Sequence, residues 1–207
     1  MKYNPNLESL SVQEYKVLLK RQNLLPGRRI LWQDIDKNFA VFESRGIKTV
    51  AQLKKNLSTP VKIADFATGR DISEDYLVIL KREIGSLEQK PVPLSSFPGV
   101  DPLFVAKLSD AGLKTSKEYW EQKPDASDEL FCLCDLVRIN GVGPVAAKAF
   151  YEAGYRSVSD VAAADAALIL NKVSAVNEAR HYYKAKLGLK DMQFCIDFAV
   201  LLGKYAT

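Results

Sequence analysis

The residues best placed to do chemistry in this chain are two glycines. In the run Arg138-Ile139-Asn140-Gly141-Val142-Gly143-Pro144-Val145-Ala146-Ala147-Lys148 they stand two positions apart and are followed by a proline. Glycine lets a backbone turn sharply and approach a ligand without a Cβ in the way. Proline suits the first position of a helix, where an N–H would go unpaired in any case. The run therefore reads as a helix, a tight turn and a second helix whose first amides stay bare. Those amides and the positive end of the helix dipole attract an anion. Lys148 lies one turn further on, and Arg138 and Arg156 flank the turn. The candidate binding residues are Arg138, Gly141, Val142, Gly143, Val145, Lys148 and Arg156. Contacts of this kind hold phosphate and ignore base identity, so they position without specifying.

Other chemistry is scarce. His181 is the single histidine, and its neighbours Arg180, Tyr182 and Tyr183 suit packing or surface exposure. Cys132 and Cys134 lie two apart in an apolar helical run and read as buried thiols, since zinc normally takes four ligands. With Cys195 they make three cysteines, which argues against a disulfide scaffold. No phosphate-binding loop, nucleophile elbow or paired titratable groups are present. The expectation is a chain with no catalytic residue, no metal and no cofactor. Trp32 and Trp120 suit half-buried packing more than base stacking. The basic cluster Lys20-Arg21 with Arg28-Arg29 reads as a solvated face.

Bulk properties permit a binding role, although a dedicated DNA-coating protein would be more basic throughout. The 207 residues are 47% hydrophobic and 26% charged, ordinary for a well-packed soluble chain. No apolar run approaches the roughly 18–20 residues that span a bilayer, and Met1 to Asn6 is polar, unlike a signal peptide. The expected location is the cytoplasm, with no membrane partner. The net charge of +4 is unevenly spread: +5 over residues 1–93, −4 over 94–135 and +3 over 136–207. Nucleic-acid contact is thus allowed at either end and disfavoured in the middle, where Asp125, Asp128 and Glu129 would suit a basic protein partner.

A repeat sets the architecture. Phe39 to Thr49, Val105 to Thr115 and Ala147 to Ser157 align without gaps on Gly46, Gly112 and Gly154. Each glycine suits the left-handed position that ends a helix. Phe42, Leu108 and Phe150 precede it by four. Thr49, Thr115 and Ser157 come after it as caps of a next helix, with Gln52, Glu118 and Asp160 closing the capping boxes. Further helices are expected from Ser11 to about Arg21, from Ser73 to a stop at Gly85, over 128–138, and from Lys190 to Tyr205. Pro91-Val92-Pro93 reads as a short stiff linker. No strong period-2 segment appears, so the fold class is all-α. The expected units are residues 1–90, with a degenerate hairpin, 91–135 in the middle, and 136–207 with two further helices.

The three turns differ. Thirteen residues before the helix-ending glycines stand Gln33, Gly99 and Gly141, and two residues later Ile35, Asp101 and Gly143. In the second turn, Asp101 before Pro102 looks like a cap that fills the anion site with the chain's own carboxylate. Only the third keeps both glycines. Even there Val145 stands where many nucleic-acid-gripping versions carry a base.

Leu136 to Pro144, with Ala153-Gly154 and Ser157-Val158-Ser159-Asp160-Val161, resembles an uncharacterised bacterial helix-hairpin-helix domain family. Leu24 to Leu31, Ile72 to Leu77, Pro93 to Asp101 and Val176-Asn177-Glu178 resemble its longer members. The resemblance implies tandem helix-hairpin-helix units, SAM-domain-like, and carries over no catalytic residue. Helix-hairpin-helix DNA glycosylases differ: their catalytic Asp has a nearby His, whereas Asp160 here has a capping role and no histidine. Two partners fit these residues. One is a DNA or RNA backbone held by the third hairpin. The other is a protein, with the hairpins purely structural.

Overall fold

A computed structural model describes residues 1–22, 24–123 and 128–206; Asp125, assigned by sequence to an acidic patch, lies outside them. The described residues form helices joined by turns, with no strand beyond two isolated bridges. The all-α reading holds. No helix among them is long and apolar enough to cross a membrane.

The chain divides into two compact units, residues 5–88 and residues 1–4 with 89–207. The first holds α1 (Val12–Arg21), a 3₁₀ turn (Pro26–Trp32), α2 (Ile35–Ser44), α3 (Val50–Asn56), α4 (Pro60–Ala67) and α5 (Glu74–Gly85). Its core is aromatic at the centre: Phe39 meets Phe42 edge-on at 5.3 Å, and Tyr15 and Phe66 close the cluster. Leu19, Leu31, Leu77, Leu80 and Ile84 are fully buried around it. The basic cluster is less free than the sequence suggests. Lys20 pairs with Asp36, and Arg28 with the buried Glu83. Gly85 is the last residue of α5 in ordinary helical geometry, and Ser86 caps the helix.

The second unit contains a short 3₁₀ turn (Leu94–Ser96), α6 (Pro102–Asp110), α7 (Ser116–Glu121), α8 (Glu129–Leu136), α9 (Pro144–Glu152), α10 (Val158–Ala162), α11 (Ala166–Arg180) and α12 (Leu189–Tyr205). The long α12 packs along α10 and α11. The Lys2 amide donates to the Ala206 carbonyl at 2.6 Å, tying the first residues to the end of α12.

The three-fold repeat is real in the backbone. Gly46, Gly112 and Gly154 have φ of +70°, +86° and +94°, values that L side chains rarely adopt. After each, the next amide reaches back over the helix end. Ile47 donates to Phe42 O at 3.1 Å, Leu113 to Leu108 O at 2.8 Å, and Tyr155 to Phe150 O at 3.0 Å. Thr49, Thr115 and Ser157 then accept from the amides of Gln52, Glu118 and Asp160. Asp160 itself accepts from the Arg156 amide at 2.9 Å.

Each capped turn is braced by a preceding segment. Val50 donates to Leu10 O and Ser116 to Val92 O. Pro91-Val92-Pro93 is therefore extended as expected, but it pairs with the turn at Thr115 and does not link freely. In the third repeat a side chain takes over this role: Val158 donates to Asp135 Oδ2 at 2.7 Å. The repeats differ in their core. α2 buries Ile35, Phe39 and Phe42, and α9 buries Ala147, Ala149 and Phe150, whereas α6 buries none of its nine residues. Its lead-in element is only the three-residue 3₁₀ turn.

Candidate nucleic-acid interface

The third hairpin joins α8 to α9. Ile139 is fully buried and Val142 nearly so, which anchors both sides of the turn. The Val142 amide closes it by donating to Ile139 O at 3.0 Å. Gly141 sits at φ +89°, a conformation that selects glycine. Gly143 is different. Its φ is −81°, and a Cβ built there would meet nothing within 4 Å. Neither backbone geometry nor packing requires glycine at 143. Its effect is to leave α9 with no side-chain cap. Pro144 has no N–H to donate. The amides of Gly141, Gly143, Val145 and Ala146 donate to no acceptor among the described residues, and Gly141, Gly143 and Val145 are exposed.

The other two hairpins depart from this arrangement in different ways. Asp101 caps α6 and accepts from the Leu103 amide at 2.9 Å, so its carboxylate occupies the position that Gly143 leaves open. In the first, Asp34 takes the left-handed conformation at φ 48°, and α2 starts one residue earlier in the repeat than α6 and α9. Two carboxylates, Asp34 and Asp36, stand at that helix start.

The cations expected to flank the third turn do not assemble there. Arg138 is 2% exposed, so it cannot meet a phosphate. Its guanidinium pairs with Asp135, donates to Tyr3 O at 2.9 Å and to Lys2 O at 3.3 Å, and lies 4.2 Å from the Trp120 ring centre. Asp135 also accepts from Trp120 Nε1 at 2.8 Å and from the Val158 amide. One buried carboxylate thus holds the N-terminal segment, α7, α8 and the third capped turn together. Trp120 is committed to this cluster, whereas Trp32 is part-exposed and donates to Leu19 O.

Lys148 is one turn along α9 but already neutralised. Its ammonium pairs with Glu129 and stands 3.6 Å from Glu152. Burial opposes its charge, but the Glu129 hydrogen bond and charge outweigh that and raise its pKa. Glu152 is shared further: Tyr182 donates to it at 2.8 Å, and Arg180 at 3.2 Å. The Tyr182 hydrogen bond, helped by both cations, holds the Glu152 carboxyl below its usual range. Arg156 lies beyond the far end of α9, whose nine residues are ~13 Å long, and rests 5.4 Å from the Tyr151 ring centre. Of the seven candidate residues, the turn therefore brings together Gly141, Val142, Gly143 and Val145. Arg138 serves the core, Lys148 is committed to carboxylates, and Arg156 is remote. The Asp135 cluster was missed from sequence. Its one signal is the i, i+3 spacing of Asp135 and Arg138.

Cys132, Cys134 and Cys195 are all buried, and burial pushes the Cys195 thiol up to about 12. His181 ends α11 in the left-handed conformation, its amide donating to Asn177 O at 2.7 Å.

No curated protein and no solved structure matches this chain. Residues 135–180, from the Asp135 hub through α11, match the family model of the SAM-like helix-hairpin-helix tandem. The match begins at the residue that braces the third repeat and contains the open turn. The chain carries a helix-hairpin-helix domain in this segment.

Proposed function

We propose that this protein is a non-enzymatic, cytoplasmic module that binds nucleic acid without regard to sequence, gripping one phosphate of the backbone on the hairpin amides. The observation that carries this reading is the uncapped start of α9. Gly143 is unforced by φ or packing, yet it leaves the amides of Val145 and Ala146 bare. A helix start that needs nothing but an anion is suited to phosphate. Helix-hairpin-helix domains commonly bind nucleic acid, which supports the same reading. The nearest cations are engaged by carboxylates, so the grip is made of main-chain dipoles more than of charge. Fluorescence anisotropy with labelled duplex and single-stranded DNA of unrelated sequences tests this. Similar affinity for each sequence at low salt is expected. Absence of binding at low salt removes the reading.

A protein-interaction scaffold is favoured by a separate observation. α6 has no buried residue, and Leu103 and Phe104 on it are 73% and 39% exposed. Partners retained on the chain after nuclease treatment would support that role, and partners lost on treatment would count against it.

A further inference from the structure

Within the unit of residues 5–88, α2, α3 and α4 frame an open cleft of about 500 Å³. Arg45, at the end of α2, Lys55 on α3 and Lys62 on α4 line it, with the Gln52 and Asn56 amides between them. Two of the cations are held in place. Lys62 Nζ donates to Lys55 O at 3.3 Å and Ser58 Oγ at 3.1 Å. The Arg45 guanidinium stands 5.8 Å from the Phe66 ring centre. Lys81 donates to Ser58 O at 2.7 Å, adding a fourth positive charge beside the cleft.

What these three residues combine is a shared cleft and the lack of a carboxylate partner. Elsewhere in the unit, Lys16 and Lys20 pair with Asp36, Arg28 with Glu83, Lys37 with Asp71 and Lys54 with Glu88. Arg45, Lys55 and Lys62 have no carboxylate within ion-pairing distance among the described residues, although Asp65 also lines the cleft. Like charges gathered in one concavity repel one another and focus a positive potential. An anion with several charges relieves that repulsion.

We infer that this cleft is a second phosphate-binding site, one that takes consecutive phosphates of a nucleic-acid strand on Arg45, Lys55 and Lys62. The inference extends the nucleic-acid reading, but it rests on residues and a unit separate from the hairpin. The two contacts have different signatures. Cations that neutralise phosphates release counterions, whereas main-chain amides do not, so the cleft carries the salt dependence. Three contacts at a slope of ~0.7 each make single-strand affinity fall about 20-fold between 50 and 200 mM salt.

The test is anisotropy of the full chain with a fluorescein-labelled 20-nucleotide single strand at both salt concentrations. The triple variant Arg45→Gln, Lys55→Gln, Lys62→Gln is expected to bind at least about tenfold more weakly at 50 mM and to lose most of the salt slope. Gly143→Asp is expected to weaken binding at both salts while keeping the slope, so failure of the hairpin and failure of the cleft are read separately. Asp65→Asn, which removes the one carboxylate that lines the cleft among the described residues, is expected to tighten binding severalfold. Unchanged affinity and slope in the triple variant would overturn the inference, as would weaker binding in Asp65→Asn. Adenosine triphosphate separates the two sources of phosphate. Displacement of the strand by the nucleotide at equal phosphate concentration would overturn the assignment to a strand.

Discussion

Replacing Gly143 by Asp separates fold from function in one substitution. Gly143 is the N-cap of α9 at φ −81°, ψ 174°, with open space where a side chain would go. Asp101 holds the equivalent place in the second hairpin and already accepts the Leu103 amide there. An Asp at 143 is expected to accept the Val145 amide in the same way. The gain from a good cap over glycine is a few tenths of a kcal/mol, and loss of glycine's unfolded-state freedom adds about 0.4–1 kcal/mol. Stability should therefore rise by about 0.5–1.5 kcal/mol, or about 1–6 °C in Tm for a chain of this size. Binding should move the other way. A hydrogen bond from an amide to a charged phosphate contributes about 1.5–3 kcal/mol, so blocking it costs about 10- to 100-fold in affinity. Thermal melting monitored by circular dichroism gives the first quantity and anisotropy the second. Gly143→Ala adds the Cβ without the carboxylate and should retain more binding than Gly143→Asp. If Gly143→Asp bound DNA as the wild type does, the amides would not be the contact. If it melted lower, the reading of position 143 as conformationally unforced would be wrong.

The same geometry predicts three further outcomes. Arg138→Met leaves the Asp135 carboxylate buried without its cation and should cost about 3–5 kcal/mol in denaturant unfolding, whereas the double change with Asp135→Asn should recover part of that loss. Glu129→Gln combined with Glu152→Gln should release Lys148 from both of its carboxylates and raise DNA affinity severalfold, whereas Lys148→Met in the wild-type background should change affinity by less than about twofold. The depressed Glu152 pKa means that its contribution to stability is fully present above its ordinary value of 4.5 and is lost as pH falls through the lower folded value. Glu152→Gln should flatten the acid limb of a plot of Tm against pH, and an acid limb equal to the wild type's would refute that contribution.

The parts of the fold that were legible from sequence are those governed by local backbone chemistry. Gly46, Gly112 and Gly154 must occupy the left-handed region, and Thr49, Thr115 and Ser157 must cap the next helix, so three turns could be located from residue type alone. The Asp101 self-cap was legible for the same reason. The surroundings of the candidate site were not, because they depend on partners distant in sequence. Arg138 looks like a flanking cation until Tyr3, Lys2 and Trp120 are brought against it from 18 and more than 130 residues away. Lys148 looks free until Glu129, on the preceding helix, pairs with it. The bare face of α6 was equally hidden, since its sequence is as apolar as that of α9. What α6 lacks is a lead-in helix long enough to cover it.

The most direct measurement is a ¹H–¹⁵N titration of the labelled chain with a short unlabelled oligonucleotide. The amide signals of Gly141, Gly143, Val145 and Ala146 are expected to move together and saturate, while those of Leu103 and Phe104 behind Asp101 stay still. Saturated binding with the hairpin amides unmoved would contradict the hairpin contact.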